Sequence, residues 1–225
     1  MRFIARACTP VFLLCIIAAA PHAGGGAIIT MDDVPDYLVV GQPVTLSWVA
    51  RQHGEFVALN SFGLATVNGE KVTVERYGSQ FSATYTPKEA GPVQVSLHVV
   101  TSARVGSGES QRVATLTSGR LDLLQIQAVD PGEAPPALAP AERGRRLFVA
   151  KGCATCHQHN ALARSGHGVD LTGRSYGINY LADLLNDPYS VLPARSSPYG
   201  AMPALGLSYA DAQAIGAFLR ESARK

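Results

Sequence analysis

The order of hydrophobic and polar residues divides the chain into two parts of different character. In the first part, runs such as "PVTLSWVA" (43–50) and "PVQVSLHVV" (92–100) alternate between apolar and polar positions. A period of two residues is typical of a β-strand that buries one face. Turn residues separate these runs, and Asn68-Gly69 marks a tight hairpin. Segment 37–128 is therefore predicted to form short strands packed as a β-sandwich.

The pattern changes to a helical period in segment 141–225. The run "NYLADLLND" carries one apolar face and stops before Pro188, which cannot continue a helix. Before the last helix, Ser208 stands at the N-cap position with Asp211 three residues later, a variant of the capping box. Three helices are predicted, over residues 141–152, 179–187 and 207–225. The fold class is thus a two-domain β + α chain, a β-sandwich followed by an all-α domain.

The first 23 residues differ from both parts. Arg2 and Arg6 precede the apolar run "VFLLCIIAAA" (11–20), which is the arrangement of a secretory signal peptide. About ten apolar residues are too few to span a bilayer comfortably. We therefore expect a bacterial protein that is periplasmic or otherwise exported, and anchored to the membrane only where the leader stays uncleaved.

A Pro- and Ala-rich stretch, "VDPGEAPPALAP", joins the two parts and is interpreted as a semi-rigid linker. No internal repeat is visible on either side of it. The chain is accordingly divided into four segments: a signal peptide over 1–23, a β-sandwich over 24–128, the linker over 129–140 and a helical domain over 141–225.

Charge is distributed unevenly between the two domains. The chain of 225 residues has a net charge of only +2, so a general nucleic-acid binder is not expected. Residues 24–140 hold 7 Lys and Arg against 11 Asp and Glu, a charge of −4, whereas residues 141–225 hold 10 against 6, a charge of +4. This polarity favours oriented docking with a charged partner. Two ordinary solvated surfaces explain the same numbers equally well.

The motif "GCATCHQH" (152–159) carries the chemistry of the helical domain. Removal of the leader takes away the two other cysteines, so the exported chain keeps only Cys153 and Cys156. Cys-x-x-Cys-His is the pattern that attaches c-type haem. Two thiols three positions apart can reach the two vinyl groups on one edge of a porphyrin, and His157 then projects its imidazole at the iron.

Two other interpretations of the cysteine pair are weaker. A structural zinc site needs four ligands, and the spacing of His159 and His167 matches no common zinc pattern. A thioredoxin-like dithiol belongs at a strand-to-helix junction of a βαβ fold, whereas this motif lies in a helical segment. The two histidines are interpreted instead as solvated loop residues, and His53 as a lone histidine in a turn.

Iron in a six-coordinate electron carrier needs a second axial ligand, and a methionine thioether in that position raises the reduction potential. Besides Met1, the chain has Met31, which precedes the predicted strands, and Met202, in a Pro- and Gly-rich loop before the last helix. Met202 follows His157 by 45 residues, which is enough chain to wrap around a porphyrin. Met202 is therefore the predicted second ligand.

Segment 141–225 resembles class I cytochrome c over nearly its whole length. Gly144 and Phe148 match the Gly and the aromatic residue of the family's first helix, where that helix crosses the last one. The other matches are the Cys-x-x-Cys-His motif, the haem loop "GVDLTG" (168–173), and Met202-Pro203 followed by Leu207-Ser208. The resemblance implies one haem c attached through Cys153 and Cys156, iron held by His157 and Met202, and outer-sphere transfer of single electrons.

Two features of the haem site are less determined by the sequence. The family usually has Pro at the position of Val169, where its carbonyl accepts the second N–H of the ligand histidine. A Val carbonyl can accept the same bond, but the loop loses rigidity, so we expect His157 to be less firmly oriented. Candidate partners of the haem propionates, for which surface exposure is at least as good an interpretation, are Arg174, Arg195, Tyr176, Tyr180 and Tyr199.

The β segment has a weaker resemblance of its own. The stretch "ATYTPKEAGPVQVSLHV" (83–99) resembles the E–F corner of immunoglobulin-like domains such as filamin repeats, with a tyrosine strand, a Pro-x-x-x-Gly turn and an alternating strand. The whole segment is also similar to the small periplasmic domains called FixH-like or YtkA-like. The resemblance implies an Ig-like fold and says little about function.

The predicted function is electron transfer. A haem with both axial positions filled offers no open site, so neither catalysis nor a small-molecule substrate at the iron is expected. The β-domain would be a spacer or a docking module for a redox partner protein or a larger respiratory complex. Two alternatives stay open: a β-domain that binds a metal or ligand, with the haem as redox sensor, and a peroxidase-like activity if Met202 leaves the iron.

Overall fold

The computed structural model describes residues 26–52, 54–105, 112–133, 135–160, 162, 168–191 and 202–221. The predicted signal peptide lies outside these residues. Within them, no helix is long and apolar enough to cross a membrane. The described chain is β-rich before the linker and helical after it, as the two patterns predict.

The strands of the β-rich domain are mostly short and follow one another closely. In the described residues they are β1 Ile28–Met31, β2 Tyr37–Val39, β3 Val44–Gln52, β4 Glu55–Phe56, β5 Ser61–Val67, β6 Glu70–Val72, β7 Val74–Tyr77, β8 Gln80–Tyr85, β9 Gly91–Val105 and β10 Arg112–Val129. The interpretation of Met31 as a residue ahead of the strands is wrong. Met31 ends β1 and is fully buried in the core of this domain.

The strands form two sheets that share one hydrophobic core. One sheet has the order β1-β3-β8-β7, with β4 paired to β3, and the other has the order β2-β10-β9-β5-β6. All neighbours are antiparallel except β2 and β10, which are parallel. Trp48 and Phe81 stack with ring centroids 6.0 Å apart and lie in the same core as Val95 and Leu97 of the second sheet.

The predicted hairpin turn is confirmed. Asn68 and Gly69 connect β5 to β6 and have φ angles of 51° and 82°. Positive φ at both central residues is the requirement of a type I′ turn, which only Gly and a few polar residues meet easily.

In its described residues, the helical domain has three main helices and two single turns. They are α1 Pro140–Ala150, α2 Cys153–Cys156, α3 Ile178–Asn186, α4 Pro188–Val191 and α5 Tyr209–Glu221. The predicted cap of the last helix is present, because the Asp211 amide donates to Ser208 Oγ (3.1 Å) and Ser208 Oγ donates to Asp211 Oδ2 (2.8 Å). The sequence pattern thus locates the three main helices to within a few residues, and the predicted end of the last one at 225 lies outside the described residues.

Helices α1 and α5 cross in close contact at Gly144. A Cβ at this position would overlap the carbonyl of Ala214, so any larger residue would force the helices apart. One turn further along α1, the rings of Phe148 and Phe218 lie 5.5 Å apart. The crossing therefore uses the small residue and the aromatic residue that the sequence singled out.

Candidate functional site

The two cysteines of the haem motif lie on a single helical turn, α2. The turn begins after Gly152 and ends at Cys156, and Thr155 donates its amide to the Gly152 carbonyl. Neither cysteine forms a disulfide in the described structure. One helical turn places positions three apart on the same face, so both thiols are offered to one ligand.

Both cysteines are thiols rather than thiolates at neutral pH. Burial, with a smaller effect of the neighbouring Cys156, raises the pKa of Cys153 to about 12. Burial also raises the pKa of Cys156. A dithiol switch uses a thiolate, whose formation burial disfavours here. The setting fits cysteines that end as thioethers, which carry no ionisable proton.

His157 leaves the turn in an extended conformation and its ring is held by the following loop. The Nδ1 atom lies 3.1 Å from the carbonyl oxygen of Val169. The loop approaches closely because Gly168 donates its amide to the Cys156 carbonyl at 2.5 Å. A Cβ on Gly168 would lie 2.8 Å from His157 Nδ1, so the ring occupies the space that a side chain would take.

The loop after Gly168 is held by its own hydrogen bonds. Leu171 donates its amide to the Gln158 carbonyl at 3.0 Å, and Asn160 donates its amide to Thr172 Oγ1 at 3.1 Å. Asp170 accepts the Thr172 amide at 2.8 Å, and hydrogen bonding from Thr172 lowers its pKa. These bonds supply order that a proline at position 169 would otherwise supply.

The segment that begins at Met202 is tied to α3. Asn186 forms a pair of bonds with Leu207, accepting its amide at Oδ1 (2.6 Å) and donating from Nδ2 to its carbonyl (2.8 Å). Leu205 donates its amide to the Leu185 carbonyl at 2.9 Å. Met202 itself is half-buried. Sequence reasoning missed Asn186, because an Asn at the end of a helix more often caps it than binds a distant loop.

Several apolar side chains from different segments of the described helical domain are only half-buried. They pack against the core and keep part of their surface exposed, which an apolar cofactor could cover. They are Cys153 and Ala154 of the attachment turn, Leu171 of the haem loop, Ile178 and Ala182 of α3, Met202, and the loop residues Leu162 and Tyr176. The residues present therefore fit a large apolar cofactor bound at the Cys-x-x-Cys-His motif.

The interpretation of His159 as a solvated loop residue is wrong. Its side chain is fully buried, and its ring stacks on Phe218 at 4.4 Å and lies 5.6 Å from Phe148. Burial lowers its pKa, which favours the neutral ring. His159 thus belongs to the aromatic packing between α1 and α5. Its burial could not be predicted, because the loop sequence has no hydrophobic periodicity.

The other candidate residues fall into two groups. Tyr176 and Tyr180 stack with centroids 6.2 Å apart, and Arg174 donates from Nε to the Asp170 carbonyl at 3.2 Å. The remaining candidates lie outside the described residues: His53, His167, Arg195 and Tyr199. Across the part of the chain that the structure describes, no group of three or more His, Cys, Asp or Glu side chains is placed to hold a metal ion.

Comparisons with known proteins are informative for the helical domain alone. Residues 141–223 match the sequence model of the family Cytochrome c. No curated protein matches the chain. Solved structures similar to parts of the chain include a polysaccharide lyase (14% identity, TM-score 0.28, covering 60% of this chain and 15% of that one), an ICAM-5 D1–D4 ectodomain fragment (17%, 0.27, 47% and 25%) and the Lin-41 filamin domain (12%, 0.26, 33% and 81%). The chain spans only small parts of the first two, and with TM-scores this low the three carry no argument about its fold.

Proposed function

Residues 141–223 form a cytochrome c domain, and from this premise we propose that the chain is an exported carrier of single electrons with one haem held by His157 and Met202. A domain of this family contains iron in covalently attached haem c, so the chain binds haem and transfers electrons to or from a redox partner. A single Cys-x-x-Cys-His motif in the sequence supports the statement that there is one haem.

The hydrogen bond between His157 and Val169 is the observation that carries the ligand assignment. A carbonyl oxygen can only accept, so His157 Nδ1, at 3.1 Å, must donate its proton to Val169. A neutral imidazole with its proton on Nδ1 presents the lone pair of Nε2, the atom left to bind iron. The same bond fixes the plane of the ring.

Met202 is the proposed second ligand. Its side chain is half-buried and packs against the same core as Cys153, and the bonds between Asn186 and Leu207 hold the segment that follows it. A thioether favours reduced iron and raises the reduction potential. If His157 and Met202 both held the iron, no ligand position would be left for a substrate. The protein is therefore proposed to act as a carrier, alone or as a subunit of a larger oxidoreductase complex.

The β-rich domain is proposed to be an Ig-like sandwich of the FixH-like or YtkA-like kind that acts as a docking or spacer module. Two sheets around one core, with strands distant in sequence paired side by side, support the sandwich. We also propose the four segments expected from the sequence: the signal peptide 1–23, the sandwich 24–128, the linker 129–140 and the helical domain 141–225. Export to the periplasm is proposed from the leader-like pattern of the first segment.

Optical spectroscopy of the oxidised protein tests the ligand assignment. The wild type should show the charge-transfer band between a thioether and ferric iron, and Met202→Ala should lose that band while keeping covalently bound haem. Met31→Leu is the matched control, because it alters a methionine buried in the β-rich domain and conserves volume. A wild type without the band that binds cyanide readily would contradict the carrier and favour a peroxidase-like activity.

A further inference from the structure

Buried cations join the helical domain to the β-rich domain. Arg146 and Lys151 are each 7% exposed, and a charge can be buried this deeply only if it has polar partners. Lys151 Nζ donates to the carbonyl oxygens of Met31 (2.8 Å) and Asp32 (3.0 Å). Arg146 donates to the carbonyl oxygen of Asp36. The backbone from the last residue of β1 to the start of β2 therefore supplies partners for both charges.

This contact between the domains extends to the haem-attachment turn. Gly152, the residue before Cys153, has a φ of 75°, which side-chain-bearing residues rarely adopt. A Cβ on Gly152 would lie 2.6 Å from the carbonyl oxygen of Ile29 and 2.7 Å from Ile28 Cγ2. Strand β1 thus lies directly against the backbone that carries the first cysteine.

Arg143 connects the β-rich domain to the last helix. Its Nη1 pairs with the carboxylate of Asp36, while Nε and Nη2 donate to Asp211 Oδ1 at 3.1 and 2.7 Å. The other oxygen of Asp211 accepts the Ser208 hydroxyl, which caps α5. One guanidinium therefore contacts both α5 and the loop between β1 and β2, because its planar fork presents donors in several directions.

The cap at Ser208 also marks where the Met202 segment ends. Ser208 follows Met202 by six residues, and Leu207 between them is held by Asn186. The segment is thus fixed from α3 on one side and through Asp211 from Arg143 on the other. A change in the position of the α5 N-terminus would move the far end of the segment that carries the thioether.

We propose that Arg143 is a positioning residue for Met202, through which the docked β-rich domain favours the bound state of the thioether. This inference rests on the proposed function, because it requires Met202 as an axial ligand. The polar chain Asp36–Arg143–Asp211–Ser208 holds the start of α5 against α1. Loss of a link in this chain raises the fraction of molecules in which Met202 has left the iron.

Cyanide binding to the oxidised full-length protein tests the proposal. Cyanide takes the axial position only when Met202 has left it, so its apparent affinity reports that fraction. Arg143→Met should raise the affinity about tenfold, the size expected when hydrogen bonds to a charged group are lost. Asp36→Asn should raise it about threefold, since this half-exposed pair is weaker. Arg143→Lys should recover part of the effect, because an ammonium can pair with one carboxylate but lacks the fork.

Arg145→Met is the matched control. Arg145 lies on the same helix and pairs with Glu142 of that helix at 2.9 Å, so its loss should leave cyanide affinity as in the wild type. A structural role alone would lower the unfolding temperature of the variants without changing cyanide affinity in the folded protein. If Asp36→Asn and Arg143→Met bind cyanide like the wild type while the thioether band is present, the inference fails and the ligand assignment stands. If the wild type lacks the band and Met202→Ala changes nothing, the ligand assignment fails and the inference with it.

Discussion

Gly168 determines how closely the haem loop can approach His157. Its amide bonds to Cys156, and the histidine ring fills the space beside its Cα. The next residue, Val169, supplies only its carbonyl to the ring, and its side chain is largely exposed. The residue that departs from the family pattern is therefore tolerated, because the interaction that orients His157 is made by the backbone.

Replacement of Gly168 by Ala should disturb His157, the proposed iron ligand. The added Cβ would stand 2.8 Å from Nδ1, closer than real Cβ contacts, so the ring must tilt and lengthen its bond to Val169. We expect a loss of stability of about 1–3 kcal/mol, as for other overpacked sites, together with a changed reduction potential. Protein voltammetry and chemical denaturation measure the two effects.

Gly177→Ala is the control for this change. Gly177 has a φ of −58° and no heavy atom from beyond its chain neighbours within 4 Å of an added Cβ, so it should accept Ala without effect on the potential. If the wild type and both variants have equal reduction potentials, the space beside Gly168 does not determine the orientation of the His157 ring.

Asn186 holds two parts of the helical domain together, because it joins α3 to the segment between Met202 and α5. Replacement by Ala removes two partly buried hydrogen bonds to Leu207. The Leu207 amide and carbonyl then lose their side-chain partner and must hydrogen-bond to water instead. We expect Asn186→Ala to cost about 1–3 kcal/mol and to weaken the thioether band at moderate temperature before the helices unfold. Parallel thermal scans by visible absorption and far-ultraviolet circular dichroism measure the order of the two events.

Asn179→Ala is the matched change on the same helix. Asn179 accepts one exposed hydrogen bond from the Tyr209 hydroxyl at 3.2 Å, so its loss should cost less than about 0.5 kcal/mol. Coincident loss of the band and of helicity in Asn186→Ala would contradict a specific role in holding the segment.

Elements whose signal is local could be predicted from the sequence, and elements that depend on distant partners could not. The turn at Asn68-Gly69 and the cap at Ser208 are set by residues within four positions of one another, and both are present. Strand β2 has three residues and exists through pairing with residues 127–129, so its own sequence carries little pattern. The attachment motif could be predicted because its spacing is itself local, whereas the burial of His159 depends on an aromatic residue of α5.

At the scale of the whole molecule, some of the charged side chains of the two domains pair with groups of the other domain. Arg143, Arg146 and Lys151 of the positive domain all find partners in the negative one, at Asp36 or at backbone carbonyls nearby. The charge counts left oriented docking and ordinary solvated surfaces equally open. In the structure, part of this charge stabilises the contact between the two domains. Folding brings together cations and acceptors that lie more than 100 positions apart in the sequence.

The link through Asp211 should respond to acid. Burial alone would raise the pKa of Asp211, but its hydrogen bonds with Arg143 and Ser208 and the charge of Arg143 hold it below its usual range. A carboxyl whose pKa is lower in the folded state stabilises the fold above its unfolded pKa, and this contribution disappears as the pH falls through the folded value. The loss of unfolding free energy in Arg143→Met should therefore be largest near neutral pH and shrink below about pH 4.

Denaturation by guanidinium at a series of pH values measures this dependence. In a background with both Asp36→Asn and Asp211→Asn, the change Arg143→Met should cost the same at every pH, because no carboxylate is left opposite the guanidinium. An Arg143→Met protein that differs from the wild type equally at about pH 3 and at neutral pH would contradict the role given to Asp211.

The linker joins two domains that also contact each other directly, through hydrogen bonds and an ion pair. Residues 130–139 form neither helix nor strand where they are described, and the Tyr37 hydroxyl donates to the Pro136 carbonyl at 2.7 Å. A short tether holds the two domains that it joins at a high effective concentration, on the order of millimolar for a flexible linker. A protease cut within it would turn the contact between domains into an ordinary bimolecular complex. The dilution at which the two fragments separate would then give the affinity of one half of the protein for the other.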